Sequence, residues 1–200
     1  VREPFYAFIE EIAPDMLAID PALEVRPNKC LSRINRDTRF TKDKSPYRDH
    51  LWIAFRQAGV QKDGMPFFWF EISPEALGWG VGLWGENKQA LDAMRRGIVA
   101  RPDDYVRLLT VAKKRGFLVD GDAWKKIGVP PDIPDVLKPL YVKKSLFFPK
   151  EHTELSWILS PDIARRAAED FKALAPIYLM LKGCAGEAMD SVGEQEEKHD

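Results

Sequence analysis

The sequence predicts a single α+β domain, with an antiparallel or mixed sheet and helices packed around it. Its 200 residues are 45% hydrophobic and include eleven Phe and six Trp, which is enough for one sizeable aromatic core. Strand-like segments cluster in the first half of the chain, and helical spacing occurs around and after them. This order is typical of α+β proteins rather than of alternating β-α units. We expect the domain to cover residues 1–186.

The first part of the chain predicts one helix and then extended segments. Apolar residues recur at helical spacing over residues 4–17; Pro4 suits a first turn, and Pro14 is a point where the helix could be interrupted. The pattern changes at Asp20-Pro21. Extended segments joined by loops are then expected at residues 23–26, 31–40 and 50–56.

A meander of about four strands is expected next. Residues 65–72 are a short aromatic run typical of a central strand, and residues 79–84 resemble its antiparallel neighbour. Residues 117–119 and 146–148 are further short strand candidates.

Helical spacing predicts a helical hairpin, one helix from residue 87 and a second from residue 102 to a stop at Gly116. Ser160-Pro161-Asp162 predicts another helix start, because Ser can cap, Pro fits the first turn and Asp complements the helix dipole. We expect this helix to run to about Leu174, to break or kink at Pro176, and its second piece to end at Gly183.

Composition limits the kinds of partner. The formal net charge of −1 gives no overall attraction to nucleic acid or to an anionic membrane. Two Cys without a Cys-x-x-Cys spacing are typical of reduced thiols, and no apolar window approaches the ~18 residues of a membrane span. A cytoplasmic protein with no membrane partner is therefore predicted. Six acids and one Lys in residues 187–200 predict an acidic, disordered tail, and Val1 in place of Met predicts residues upstream.

The densest charge pattern begins at Arg33. Residues 33–50 contain six cations against three carboxylates. Arg and Lys at this density, mixed with Asp and Tyr, suit either the capture of an anionic ligand or a self-satisfied ion-pair network.

The alternation of side chains along a strand makes the anion-binding interpretation more specific. In an extended segment Arg33, Asp37 and Arg39 share one face, so Asp37 could orient guanidinium groups that hold an anion bidentately. Lys44 and Tyr47 would extend that surface around a turn. The predicted ligand-binding residues are Arg33, Arg36, Asp37, Arg39, Lys44 and Tyr47. The alternative is that Asp37 pairs with its neighbours and leaves a solvated edge worth about 0 to 1 kcal/mol per pair.

The other motifs of the chain give weaker evidence about function. Residues 80–85 match Gly-x-Gly-x-x-Gly, but no β-α-β unit surrounds them, so alternate glycines more plausibly let a helix, a loop or a ligand approach the backbone. The three His lack metal-ligand spacing, and neither a phosphate loop nor a Gly-x-Ser-x-Gly elbow occurs, so no metal and no cofactor is predicted. His152 is a candidate proton carrier if it folds toward the Arg cluster, and Lys143-Lys144 could add cations there.

The pattern Arg-x-x-Arg-Asp-x-Arg-Phe followed by Asp-Lys-Ser-Pro-Tyr resembles the signature of domain-of-unknown-function family 2461, a group of mostly bacterial conserved hypothetical proteins. The resemblance covers the chain to about Gly183, and the acidic tail departs from it. The family implies no activity, cofactor or partner. What the resemblance carries over is limited to the motif residues Arg33, Arg36, Asp37, Arg39, Phe40, Lys44 and Tyr47.

The leading hypothesis is therefore a protein that binds a phosphate- or carboxylate-bearing ligand at this cluster, as a binding protein or as an enzyme; the residues do not decide between the two. If chemistry occurs, the Arg and Lys side chains would stabilise negative charge, and Asp37, Tyr47 or His152 would carry protons. The alternative is a non-enzymatic module that contacts an acidic partner or the nucleic acid backbone, with the tail as a competing mask. A third possibility is a structural clamp. No pattern specifies an oligomeric state.

Overall fold

The computed structural model describes residues 2–36, 39, 44–60, 63–152, 156 and 160–196, with side chains to residue 187. It has the predicted α+β class. The elements are, in chain order, α1 (Glu3–Ile19), α2 (Pro27–Cys30), β1 (Leu51–Arg56), β2 (Pro66–Ile72), β3 (Leu77–Leu83), α3 (Lys88–Ala100), α4 (Pro102–Lys114), a 3-10 turn (Asp135–Leu137), α5 (Lys138–Tyr141), β4 (Phe147–His152) and α6 (Ile163–Glu196).

The four strands form one antiparallel sheet in the order β1-β2-β3-β4. Side chains alternate between its two faces, and the face that carries Phe68 packs against helices. On this inner face the Phe68 ring lies 4.8 Å from the Tyr178 ring of α6, and the Phe70 ring lies 4.4 Å from the Phe8 ring of α1. Part of the predicted aromatic core therefore lies between the sheet and helices α1 and α6.

Three charged side chains are buried among the residues that the structure describes, and each has polar partners. The Asp170 carboxylate accepts hydrogen bonds from Trp79 Nε1 at 3.0 Å and Lys150 Nζ at 2.7 Å. Helix α6 turns Asp170 toward β3 and β4, whereas the adjacent Glu169 is exposed.

The Asp20 carboxylate ties the end of α1 to α6. It accepts from Tyr178 Oη at 2.8 Å, from Lys182 Nζ at 2.7 Å and from the Ala22 backbone N–H at 3.0 Å. The third buried charge, Arg95, donates to the backbone carbonyls of Tyr141 and Lys143.

Helix α6 corrects the prediction for the end of the chain. The expected end at Leu174 and stop at Gly183 are wrong, and Pro176 does not break the helix, because α6 is one helix from Ile163 to Glu196. Pro176 removes only one backbone donor, and the buried residues that follow it, such as Tyr178 and Leu181, hold the helix against the core. Gly183 is not among the glycines with positive φ, so it does not form the left-handed cap that ends a helix. The backbone of residues 187–196 continues this helix; the division into one domain and a disordered tail stays a prediction.

The extended segment predicted at residues 31–40 is only partly correct. Its described residues form isolated bridges, Leu31 to Ile53 and Asn35 to Tyr47, rather than a continuous strand. Residues 37, 38 and 40 lie outside the described residues. Near residues 117–119, Leu118 N–H donates to the Pro149 carbonyl of β4, but no named strand forms there.

Candidate functional site

The two halves of the arginine-rich motif pair with each other beside β1. We call residues 31–36 and 44–50 the cationic arm. Arg36 N–H donates to the Pro46 carbonyl at 3.0 Å, and Arg48 N–H donates to the Ile34 carbonyl at 2.9 Å. The arm thus continues the edge of the sheet as a narrow antiparallel pair.

The pairing is out of register at the base of the arm. Between the bridges Leu31 to Ile53 and Asn35 to Tyr47, residues 32–34 on one side face the longer segment 48–52 on the other. The longer side must bulge, because backbone pairing cannot accommodate its extra residues. Asp49 and His50 lie in this segment, so the mismatch displaces their side chains from a regular ladder.

An open depression of about 470 Å³ occupies this bulge and is lined by Arg36, Arg48, Asp49 and His50. Since a carboxylate only accepts, His50 Nδ1–H donates to Asp49 Oδ1, at 2.7 Å. This hydrogen bond and the positive charge of Arg36 lower the pKa of Asp49 below its ordinary value. Asp49 is therefore ionised at neutral pH, and its hydrogen bond occupies Nδ1 rather than Nε2 of the imidazole.

Of the predicted site residues, the structure brings only Arg36, half-buried, to the lining of the depression. Arg33, Lys44 and Tyr47 are exposed on the arm, and Arg39, between its two halves in the sequence, is exposed as well. Asp37 lies outside the described residues, as do Phe40 and Asp43, so its orienting role stays a prediction.

Two arginines of the arm, Arg33 and Arg48, make no side-chain hydrogen bond or ion pair within the described ranges. Arg36, Arg39 and Lys44 each make at least one polar or electrostatic interaction. Sequence reasoning did not select Arg48, Asp49 and His50, although the charge run extends to residue 50. Their role depends on the shifted pairing of the arm, which no local spacing reveals.

The other proposed contributors lie elsewhere. His152 ends β4, three strand positions from β1 and hence about 14 Å away. Its ring packs on Trp79 with the centroids 4.7 Å apart. Lys144 lies near the opposite end of the sheet, 3.4 Å from Asp122. The ideas that His152 and Lys143-Lys144 join the Arg cluster are therefore wrong.

The outer face of the sheet carries a second depression, of about 220 Å³, lined by Trp52, Phe67, Trp69, Glu71 and Phe147. We call this cavity, which these five residues line, the aromatic depression. Trp52 stacks on Trp84 with ring centroids 4.7 Å apart and planes 18° apart. Trp52 and Glu71 are cross-strand partners, so the indole and the carboxylate lie side by side.

The glycines of β3 explain how this face is built. A Cβ on Gly80 would lie 2.2 Å from the Phe148 carbonyl oxygen, and a Cβ on Gly82 would lie 2.6 Å from the Leu146 carbonyl oxygen. Both positions therefore require glycine, because the backbone around β4 approaches too closely for any side chain. This favours the packing interpretation of residues 80–85 over a dinucleotide loop.

Metal and thiol chemistry find little support in the part of the chain that the structure describes. No group of three His, Cys, Asp or Glu side chains there could hold a metal ion. Cys30 and Cys184 are free and buried. Burial raises the pKa of the Cys30 thiol to about 12 and also raises that of Cys184, so both are protonated at neutral pH.

The fold and its sites define an α+β protein with a cationic arm next to an aromatic sheet face. The chain belongs to the family described as conserved hypothetical protein (DUF2461), whose model matches residues 1–179. No curated protein and no solved structure matches it. None of the described helices is long and apolar enough to cross a membrane.

Proposed function

We propose that the protein binds a small anionic ligand, bearing a phosphate or a carboxylate, in the depression at the base of the cationic arm. One observation carries this proposal. Arg48 has no side-chain partner in the described ranges, although it lines an open depression next to a second guanidinium, that of Arg36. A guanidinium used only for structure would be expected to lie against a carboxylate or a carbonyl, as Arg95 does.

The lining suits one bound anion. Arg36 and Arg48 offer planar forks that match phosphate or carboxylate oxygens, and the ionised Asp49 offsets one of the two positive charges. Arg33 and Lys44 on the arm and Arg39 between its two halves add positive charge, Tyr47 adds a hydroxyl, and Asp37 is proposed to orient the guanidinium groups.

If the protein is an enzyme, His50 is the best-placed proton carrier. Asp49 fixes the proton on Nδ1, which leaves Nε2 as the acceptor. This assignment takes the place of His152, which packs on Trp79 at the far side of the sheet.

The test is a charge reversal with a matched control. Arg48→Glu should weaken the binding of inorganic phosphate and citrate, measured by isothermal titration calorimetry, by at least about tenfold, because a charged hydrogen bond contributes about 1.5–3 kcal/mol. Arg107→Glu is the control, since Arg107 is an exposed arginine on α4 that pairs with Asp104. Equal affinities for the two variants would refute the site.

A second candidate function is an interaction module that contacts an acidic partner or the nucleic acid backbone. The exposure of Arg33, Arg39 and Lys44 beyond the depression favours it. Such binding should weaken steeply as salt increases and should tighten when residues 187–200 are deleted. Neither effect is expected for one small anion. We also propose a cytoplasmic location, supported by the two free, buried cysteines.

A further inference from the structure

We propose that the anionic ligand is a nucleotide, with its phosphate at Arg36 and Arg48 and its base in the aromatic depression. The phosphate half of this inference rests on the proposed function. The base half rests on separate observations about the outer face of the sheet.

The two depressions are neighbours along the chain. His50, immediately before β1, lines the first, and Trp52 of β1 lines the second. The Cα atoms of residues two apart in a chain are separated by at most about 7 Å. A ribose spans a gap of this size between the phosphate and the base of a nucleotide.

The aromatic depression presents flat surfaces for a ring. One face of the Trp52 indole is covered by Trp84, which also meets the Phe67 ring edge-on at a centroid distance of 5.0 Å. Trp52 is nevertheless only half-buried, so part of its surface remains accessible. Aromatic stacking of this kind contributes about 1–3 kcal/mol per base in proteins that bind single strands.

Glu71 is the polar group of this depression. Its half-buried carboxylate makes no hydrogen bond and no ion pair with any residue that the structure describes, in contrast to the buried Asp20 and Asp170. A partly desolvated carboxylate is costly unless a donor reaches it. A ligand that brings N–H groups to this position would supply the missing donors.

These features favour a base over a sugar. Four of the five lining residues are aromatic and one is a carboxylate. A sugar ring carries several hydroxyls, each of which needs a partner when it is buried. A heteroaromatic base needs few partners, and guanine presents two adjacent N–H donors to a single carboxylate. Guanine nucleotides should therefore bind more tightly than adenine nucleotides.

The charge changes sign along this surface, from positive at the arm to negative on the sheet. The arm, beyond β1, is cationic, whereas Glu71 on β2 and Glu151 on β4 lie farther from it in the sheet order. A ligand with phosphate at one end and N–H donors at the other is complementary to this gradient.

The experiment compares GMP, AMP, ribose 5-phosphate and inorganic phosphate by calorimetry, with tryptophan fluorescence as a second readout. We expect GMP to bind at least about tenfold more tightly than ribose 5-phosphate and to quench the fluorescence, since the base adds stacking and two hydrogen bonds. Glu71→Gln should remove most of the GMP advantage without changing the affinity for ribose 5-phosphate. Glu75→Gln, an exposed carboxylate in the turn after β2, is the matched control and should change neither.

The outcomes separate the two proposals. If phosphate and ribose 5-phosphate bind but GMP binds no more tightly, the base site is refuted and the anion site stands. If none of these compounds binds, the anion site is refuted. The base site is then refuted too, unless an oligonucleotide binds and loses affinity in Glu71→Gln.

The same chemistry could come from a single strand of nucleic acid. An octanucleotide that binds and loses affinity in Glu71→Gln, but not in Glu75→Gln, supports the base site with a strand as the source. An octanucleotide whose binding is steeply salt-dependent and indifferent to Glu71 refutes the base site and favours the interaction module.

Discussion

Charged side chains on the two sides of the sheet differ in whether they have hydrogen-bond or ion-pair partners. On the inner face, Asp170 is nearly inaccessible and accepts from Trp79 and Lys150, with Arg115 at 3.5 Å. On the outer side, the half-buried Glu71 has no donor among the described residues, and neither does Arg48 have an acceptor there. The inner charged groups have their hydrogen-bond partners within the fold, whereas the outer groups remain able to form hydrogen bonds with a ligand.

The contrast separates structural polar groups from candidate binding groups. A buried carboxylate must be paired, because an uncompensated charge in the interior costs several kcal/mol. A group at the rim of an open depression can be hydrated until a ligand replaces the water. The stability of the protein should therefore depend on the inner groups and not on the outer ones.

The largest effect is expected for Asp170→Ala. Removing the carboxylate leaves Lys150, 23% exposed, without its counter-ion and Trp79 Nε1 without an acceptor. The free energy of unfolding, measured with urea, should fall by about 3–5 kcal/mol. Glu169→Ala is the control on the same turn of α6, because the side chain of this exposed residue pairs with exposed Arg165, and its loss should cost less than about 1 kcal/mol. Similar losses of unfolding free energy in the two variants would contradict a special structural role for the buried Asp170.

Asp20→Asn should cost about 2 kcal/mol and should alter the pH dependence of stability. Burial raises the pKa of Asp20, but the hydrogen bonds from Lys182, Ala22 and Tyr178 together outweigh it, so the net pKa is lowered. A lowered pKa gives stability that is present above the unfolded value of about 4 and is lost as the pH falls through the folded value.

Urea unfolding between pH 7 and pH 2.5 tests this prediction. The wild-type protein should lose more stability on acidification than Asp20→Asn does. Asp15→Asn serves as the control, since Asp15 pairs with Lys172 at the surface. Parallel curves for the wild type and Asp20→Asn would show that the inner cluster does not depend on ionised Asp20.

Gly80→Ala should lower the free energy of unfolding by about 2 kcal/mol, because its Cβ would lie 2.2 Å from the Phe148 carbonyl oxygen and would force β4 away. Gly183→Ala is the opposite case. A Cβ there meets nothing within 4 Å inside α6, so alanine should stabilise the protein by about 0.5–1 kcal/mol. Equal effects of the two substitutions in urea unfolding would contradict the close approach of β4.

The smallest effect is expected for Glu71→Gln. Since the carboxylate has no partner in the described ranges, its replacement by an amide of the same shape should change the free energy of unfolding by no more than about 0.5 kcal/mol. Chemical denaturation of the ligand-free protein measures this. A loss above about 1 kcal/mol would mean that Glu71 stabilises the fold, and the outer face would then resemble the inner one.

Much of the fold follows from local patterns. Apolar spacing predicted α1, α3 and α4, and the aromatic run of β2 and the glycine-rich run of β3 identified the central strands. The continuity of α6 past Pro176 did not follow, because propensity favours a break and only burial of Tyr178 and Leu181 against distant elements outweighs it. Glu169 and Asp170 show the same limit, since adjacent acids look equivalent until α6 docks on the sheet.

The sequence by itself determined that cations are concentrated between residues 33 and 50 and that a run of aromatic residues occupies positions 67–70 of a following strand. Only the tertiary structure decided which charges are saturated and which line an open depression. The shifted pairing of the arm places Arg36 beside Arg48, and the pairing of β1 with β2 places Glu71 beside Trp52. The physical reason is that burial and pairing depend on contacts between segments distant in sequence, whereas periodicity records only local geometry.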